Sequence, residues 1–202
     1  MTRLLEVDPR YPQRAVLDEA ASVLRSGGIV AFPTESFYGL GADALDEAAV
    51  ARVFRVKGRP ESQPLLVLVD SAERVEALCV EIPEGARGLM ARHWPGPLTL
   101  VLRAAPTVPA ALTAGTGTLG VRVPGHPVAL GLVRAAALPV TAPSANPSGR
   151  EPPTTARAVR DHFAGQLDLI LDGGPTAGGA GSTIADCTVW PPRLVRQGPV
   201  VI

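Results

Sequence analysis

Lysine is nearly missing from this 202-residue chain: Lys57 is the only one, and the other eighteen basic residues are arginine. A chain that supplies its surface charge with Arg holds a lone Lys either by chance or where a compact ammonium on a flexible stem is needed. Cysteine is scarce as well. Cys79 and Cys187 lie far apart and outside any CxxC pair, which argues against a disulfide scaffold or a cysteine zinc site. His93, His126 and His162 are too widely separated to read as metal ligands. Aromatic residues make up 4% and the net charge is zero, so no global field recruits nucleic acid or membrane, and any such binding must come from a local patch. No apolar run is long enough to span a bilayer, and Met1-Thr2-Arg3-Leu4-Leu5-Glu6 meets charge too early for a signal peptide. These absences predict a soluble, cytoplasmic protein.

What the chain does have is a hydrophobic content of 46%, built on Val, Leu and Ala, and enough length to bury a core. Strands are predicted at 4–7, 29–32, 65–69, 98–103, 119–123, 140–141, 167–171, 183–189 and 194–196. Helices are predicted at 15–24, 46–56, 84–92, 126–136 and 155–163. Ser26-Gly27-Gly28 suits the C-cap of the first helix, and Asp46 is a candidate N-cap for the second. Asp70-Ser71-Ala72-Glu73 resembles a capping box opening a further helix to about Leu78. Thr34 to Gly41 reads as a polar, Gly-bearing loop just past a strand end, where open α/β sheets bind ligands. Strands alternate with helices early and cluster late, which predicts an α/β fold with a mixed parallel and antiparallel sheet in one domain, 1–202.

Several apparent motifs fail on context. Gly115-Thr-Gly-Thr-Leu-Gly120 matches GxGxxG, but a strand follows it where a dinucleotide loop needs a helix. Gly39-Leu-Gly-Ala-Asp-Ala44 is a looser match with too long a gap after its strand, and no GxxxxGK[ST] exists. The Gly173–Gly181 run reads as a flexible connection sooner than a phosphate cradle. Neither cysteine sits in a motif that activates a thiolate. Ser144 has no GxSxG elbow and no nearby His, so it is not expected to be a nucleophile.

Two stretches remain. In Arg55-Val56-Lys57-Gly58-Arg59-Pro60, Gly58 permits close backbone approach and Pro60 stops the preceding helix. On this segment alone, a ligand-facing ammonium and a solvated basic helix end are equally admissible. Ser144-Ala145-Asn146 places two short polar groups between prolines just after a buried strand. That makes either a locally bonded turn or a rigid hydrogen-bonding shelf. Chemistry with no protein nucleophile, resting on positioning and charge neutralisation, suits this inventory, and phosphoryl or nucleotidyl transfer is of that kind.

Taken in order, Pro33-Thr-Glu-Ser-Phe-Tyr-Gly-Leu40, Lys57-Gly-Arg-Pro60, His93-Trp-Pro-Gly-Pro-Leu-Thr99, Val121-Arg-Val-Pro124, Ala142-Pro-Ser-Ala-Asn-Pro-Ser-Gly149 and Ser182-Thr-Ile-Ala-Asp186 resemble the YrdC/Sua5/TsaC family, the L-threonylcarbamoyladenylate synthases. The resemblance runs from about Arg14 to Gly198. It implies a twisted open mixed sheet flanked by helices, with a central cleft. It also implies a reaction of L-threonine, bicarbonate or CO₂ and ATP to give threonylcarbamoyl-AMP and pyrophosphate. The product would serve t6A modification at position 37 of tRNAs reading ANN codons.

By similarity, the KxR and SxN signatures fall on Lys57, Arg59, Ser144 and Asn146, with Lys57 and Arg59 facing the phosphates. Ser36, Arg122, Ala142 and Ser182 fall on the L-threonine side, Arg122 being a natural bidentate partner for a carboxylate. Lys57, Arg59, Gln63, Thr118, Ser144, Pro152 and Arg196 fall where ATP is contacted. Mg²⁺ is implied as a companion of the ATP phosphates, with no protein side chain ligating it. Ser36 stands where many relatives have Thr, and the hydroxyl survives. Leu68 stands where archaeal-type relatives have His, which removes a side-chain contact to threonine. The chain's end at Ile202 suggests the short form without a C-terminal domain, relying on a downstream tRNA threonylcarbamoyl-transfer complex to use a labile product.

Two other readings compete. Arg52, Arg55, Lys57 and Arg59 could form a footprint for double-stranded RNA or tRNA, against which stand the zero net charge and the few aromatics. A carbamoyl transferase like the related domain of hydrogenase-maturation proteins is the other, although nothing here resembles their acylphosphatase or zinc-finger segments.

Overall fold

The computed structural model describes residues 1–163 and 165–202. In chain order its strands are β1 (Arg3–Glu6), β2 (Val30–Pro33), β3 (Tyr38–Gly41), β4 (Leu66–Leu68), β5 (Cys79–Val80), β6 (Leu98–Ala104), β7 (Thr118–Arg122), β8 (Val140–Thr141), β9 (Leu169–Asp172), β10 (Thr183–Asp186) and β11 (Arg193–Arg196). The helices are α1 (Arg14–Arg25), α2 (Glu47–Lys57), α3 (Glu84–His93), α4 (Ala110–Thr113), α5 (Pro127–Ala136) and α6 (Ala156–Phe163).

The expected mixed sheet is present as two ladders. One runs β1-β9-β2-β3 and the other β11-β10-β6-β7-β4-β8, with β5 pairing on β6. Isolated bridges from Gly39 to Ser144 and from Asp43 to Val140 join them along the β3–β8 seam. β2 and β9 are buried on both faces, and their side chains alternate between two cores. Val30, Phe32, Leu169 and Leu171 pack with α1 and α5, while Ile29, Ala31 and Ile170 face the larger core. That double burial is why these strands read as continuous apolar runs.

Helix α2 forms where its signals place it. Asp46 accepts hydrogen bonds from the Ala48 and Ala49 amides, and Gly58 closes the helix in the left-handed conformation at φ 57°. Residues 115–120 form no phosphate loop. Gly115 and Gly117 take positive φ in the turn between α4 and β7, which is what those glycines are for.

Three local expectations differ. The stretch 38–41, expected as loop, is strand β3, pairing antiparallel with β2. Its glycines lie against the Phe32 ring, so the missing side chains are a packing requirement and not a sign of loop. The segment after Asp70 makes only a 3-10 turn, Glu73–Ala77, whose N-cap position is Ala72 without a side-chain cap bond. The short β5 and α4 had no readable pattern. No helix among the described residues is long and apolar enough to cross a membrane.

Candidate active site

The last turn of α2 aims Lys57 inward, and the side chain is 3% exposed. Its ammonium donates to the Ser144 carbonyl at 2.5 Å and the Asn146 carbonyl at 2.6 Å. The Ser148 amide donates back to the Lys57 carbonyl at 2.8 Å. An ammonium has three N–H donors, so one remains for a ligand. Among the described residues, no carboxylate forms an ion pair with Lys57. Burial and, second, the charge of Arg59 bring its pKa down to about 8 from 10.5. The carbonyl dipoles work the other way. Lys57 therefore does something the sequence did not foretell: it ties the end of α2 to the turn that carries Ser144 and Asn146.

That turn is rigid. The Ala145 amide bonds to the Tyr38 carbonyl and the Leu40 amide to the Pro143 carbonyl, both at 2.8 Å. Asn146 is 6% exposed, and its Nδ2 donates to the Pro147 and Arg150 carbonyls. Its Oδ1 is buried without a partner. An orphaned acceptor costs free energy unless something arrives to satisfy it, so Asn146 is built to receive a donor. Ser144 is half-buried, and its hydroxyl makes no hydrogen bond among the described residues.

Arg59 lies near enough for its charge to act on Lys57 but spends its guanidinium on its own loop. Nε donates to the Gln63 carbonyl at 3.2 Å and Nη2 to the Pro64 carbonyl at 2.9 Å. Gln63 and Pro152 are exposed, while Ala142 is half-buried and sits on β4 through its amide. Thr118, at the start of β7, bonds the hydroxyl of Thr116 at 2.9 Å.

Arg122 closes the other end of β7, four residues and so about 13 Å along the strand from Thr118. It is 4% exposed. Its Nε donates to the Gly96 carbonyl at 2.8 Å, and its Nη2 pairs closely with Glu35 Oε2. The second Glu35 oxygen accepts from the Gly125 amide at 2.6 Å. Burial alone would raise the Glu35 carboxyl. The charge of Arg122 and hydrogen bonds from the backbone outweigh it and hold the group below its ordinary 4.5. Ser182, also buried, shares its hydroxyl with Thr99 at 2.7 Å and receives Arg196 on its carbonyl at 2.8 Å. Burial and then the Arg122 charge push the Arg196 guanidinium down from its usual pKa. Ser36 meets the Gly-rich loop, its carbonyl accepting from the Gly178 amide at 2.7 Å. That loop, expected as a flexible connection, is pinned again by Tyr38, whose hydroxyl donates to the Gly174 carbonyl at 2.7 Å.

Most of the residues named from sequence thus fall into two groups. Lys57, Arg59, Ser144 and Asn146 gather in one, and Arg122, Ser182 and Arg196 in the other, while Thr118 bonds only to its own turn among the described residues. The segment from Glu35 to Gly39 spans both, since Glu35 meets Arg122 and Gly39 bridges to Ser144. Glu35 carries no signal of a role in the sequence, although it lies within the Pro33–Leu40 motif. A carboxylate in a polar turn carries no signal until its cation is placed beside it. The cysteines are inert: burial pushes the Cys79 thiol up to about 12, and burial with the Asp186 charge pushes Cys187 up to about 11.

The four basic residues 52, 55, 57 and 59 form no continuous exposed stripe. Lys57 is buried, and Arg52 pairs with Asp168 at 2.7 Å.

Comparison with known proteins places this arrangement. The chain is 51% identical over 179 residues to the threonylcarbamoyl-AMP synthase of Pyrococcus abyssi, covering 89% of this chain and 53% of that protein. It is 43% identical over 196 residues to the Bacillus subtilis threonylcarbamoyl-AMP synthase, covering 96% and 56%. The chain therefore spans about half the length of these relatives. Among solved structures, P. abyssi Sua5 complexed with L-threonine superposes with a TM-score of 0.93 at 48% identity, covering 96% of this chain and 57% of that one. The Sua5/YciO/YrdC family model, described as telomere recombination, matches residues 22–198. The chain belongs to the Sua5/YciO/YrdC family.

Proposed function

We propose that this chain makes threonylcarbamoyl-AMP from L-threonine, bicarbonate or CO₂, and ATP, releasing pyrophosphate and, from bicarbonate, water. The observation that carries the reading is a pair of buried cations with different partners, linked by the segment from Glu35 to Gly39; in this reading they stand at the two ends of one cleft. Lys57 is a buried cation without a counter-ion, suited to the phosphates of ATP. Arg122 is a buried, fork-shaped cation suited to a carboxylate. The likeness to relatives that bear this activity, and to a neighbour that binds L-threonine, supports the assignment.

In this reading Arg122, Ser36 and Ser182 hold threonine, with Ala142 lining the cleft. The threonine amine adds to CO₂, and the carbamate oxygen attacks the α-phosphate of ATP with pyrophosphate as leaving group. Lys57 and Arg59 face the negative charge that builds there, and Asn146 Oδ1 and the free Ser144 hydroxyl take ATP donors. Gln63, Thr118 and Pro152 line the nucleotide's path, and Arg196, seated on Ser182 beside Arg122, would meet the nucleotide from the threonine side. Charge stabilisation in a site shielded from water does most of the work. The ends of the cleft offer cations and hydroxyls in place of a carboxylate cluster. Mg²⁺ would accordingly arrive on the ATP phosphates and neutralise part of their charge. The product would pass to a tRNA-modifying complex in the cytoplasm. Direct binding of tRNA or double-stranded RNA is the lesser reading, given the broken basic stripe.

The test is pyrophosphate release by the purified chain with ATP and Mg²⁺, omitting threonine or bicarbonate in turn. Release that needs both is the expected result. Release without threonine would point to carbamoyl transfer. No release, with salt-sensitive tRNA binding, would favour the RNA-binding reading.

A further inference from the structure

We infer that Glu35 is the recognition residue for the ammonium group of the amino-acid substrate, so that Glu35 and Arg122 together form a receptor for a zwitterion. The inference rests on the synthase reading above and goes further, assigning a residue that no part of that reading uses.

Geometry carries it. Glu35 and Arg122 are in contact, with side-chain exposures of 25% and 5%. Such a pair presents one negative and one positive group side by side at a mostly buried site. An α-amino acid presents the same two charges on one carbon in the opposite sense, so it can lie along the pair with each charge facing its complement. Arg122 keeps capacity for this. Its guanidinium has five N–H donors, and only Nε, on the Gly96 carbonyl, and Nη2, beside Glu35, are engaged among the described residues.

The rival role for Glu35 is a placeholder that fills the carboxylate site and swings away when substrate binds. Its surroundings oppose that. Glu35 Oε1 is held by the Gly125 amide at 2.6 Å, while Oε2 lies in ion-pair contact with Arg122 but has no hydrogen bond among the described residues, which leaves it an acceptor to offer an ammonium. The turn beneath it is locked by the Thr34 hydroxyl and amide, both donating to the Phe37 carbonyl, at 2.6 and 3.1 Å. Behind it, a β-carbon on Gly125 would come within 3.1 Å of Oε1, so the carboxylate rests directly on that backbone. His126, whose ring nitrogen caps α5, adds no fixed anion, and Arg196 adds a second cation. Glu35 is thus an anion seated against Arg122 and anchored through the Gly125 amide. Its role is selection: a ligand with a carboxylate but no ammonium leaves Glu35 facing a polar gap, and one with an ammonium but no carboxylate leaves Arg122 short of an acceptor.

The experiment measures dissociation constants by calorimetry for L-threonine, (R)-3-hydroxybutanoate, which lacks only the amino group, and L-threoninol, which lacks the carboxylate. Wild type and Glu35→Gln are compared, with thermal unfolding as a check on folding. The wild type is expected to prefer threonine over 3-hydroxybutanoate by 100-fold or more, and Glu35→Gln to shrink that preference to below tenfold by weakening threonine alone. Equal losses for both ligands in the variant would mean a structural role and overturn the inference. Tighter threonine binding in the variant would do the same and favour the placeholder. If Glu35→Gln fails to fold, Glu35→Asp takes its place: it keeps the charge but withdraws it by one methylene, and should shrink the threonine preference severalfold, whereas an unchanged preference, or a wild-type preference under tenfold, overturns the inference. A wild type that binds threonine with the preference unchanged in Glu35→Gln sinks only this inference. A wild type that binds no threonine sinks the synthase reading itself.

Discussion

Lys57 and Arg122 are both cations with under 5% of their surface exposed, and the protein compensates them in opposite ways. Lys57 is solvated by two carbonyl dipoles and, among the described residues, meets no carboxylate, so its positive charge is not balanced locally. Arg122 is paired with Glu35, so its end is locally balanced and polarised. A buried charge held only by dipoles is a standing demand for an anion, and the phosphates of ATP would meet it. A buried ion pair makes no such demand and instead selects a ligand that complements both of its members. In the proposed function, the difference between the ends becomes a difference between charge neutralisation and recognition.

The largest effect should come from breaking the uncompensated end. Lys57→Met keeps the volume but removes the charge and both hydrogen bonds to the Ser144 and Asn146 carbonyls. Activity in the pyrophosphate assay should fall by about a thousandfold or more, since one group would be lost both to the phosphates and to the turn. Denaturant unfolding should show a loss of about 2 kcal/mol from the orphaned carbonyls. Lys57→Arg should rescue neither, because a planar fork cannot reproduce two short bonds from one nitrogen. Normal turnover in Lys57→Met would remove the contrast altogether.

Next comes the paired end. Arg122→Gln strands the Glu35 carboxylate and should cost about 3 kcal/mol of stability, whereas adding Glu35→Gln should recover part of that loss. A double-mutant cycle on unfolding free energies measures it, with a coupling of about 1–3 kcal/mol expected. A coupling near zero would mean the pair is not a unit.

The smallest effects are in pH dependence, where stability should rise with pH at both ends but in different windows, alkaline for Lys57 and acid for Glu35. Lys57 has a folded pKa of about 8 against 10.5 when unfolded. The unfolded chain therefore binds that proton more tightly, and stability should rise as pH climbs from about 8 toward 10.5. Activity should move oppositely, with kcat/KM for ATP falling above about 8 as the free enzyme loses its ammonium. Glu35 lies below its ordinary 4.5, so its contribution is present above 4.5 and is lost as pH falls through the lower folded value. Urea midpoints across pH, compared between wild type and Lys57→Met, separate the two. An unchanged alkaline limb in the variant would remove Lys57 as its source.

Much of the fold was legible in the chain. Asp46 announced α2 and Gly58 ended it, and the apolar runs of β2 and β9 declared strands buried on both faces. What failed was local pattern overruled by packing. Tyr38 to Gly41 looked like loop because its glycines are disfavoured in strands, yet Phe32 and Val140 leave no room for side chains at Gly41. The box at Asp70–Glu73 looked like a helix start, yet five residues of 3-10 turn lead straight into β5.

At the site, the sequence by itself determined the inventory: a lone lysine, arginines, short hydroxyls and an asparagine, without an activated nucleophile, in an order characteristic of one family. That much follows from residue types and their spacing along one dimension. Only the tertiary structure decided how each charge is compensated. Lys57 and Ser144 are 87 positions apart, and Glu35 and Gly125 are 90 apart. Whether a buried cation faces a carbonyl or a carboxylate depends on which strands are neighbours, and β-sheet pairing across such separations leaves no local trace in the chain.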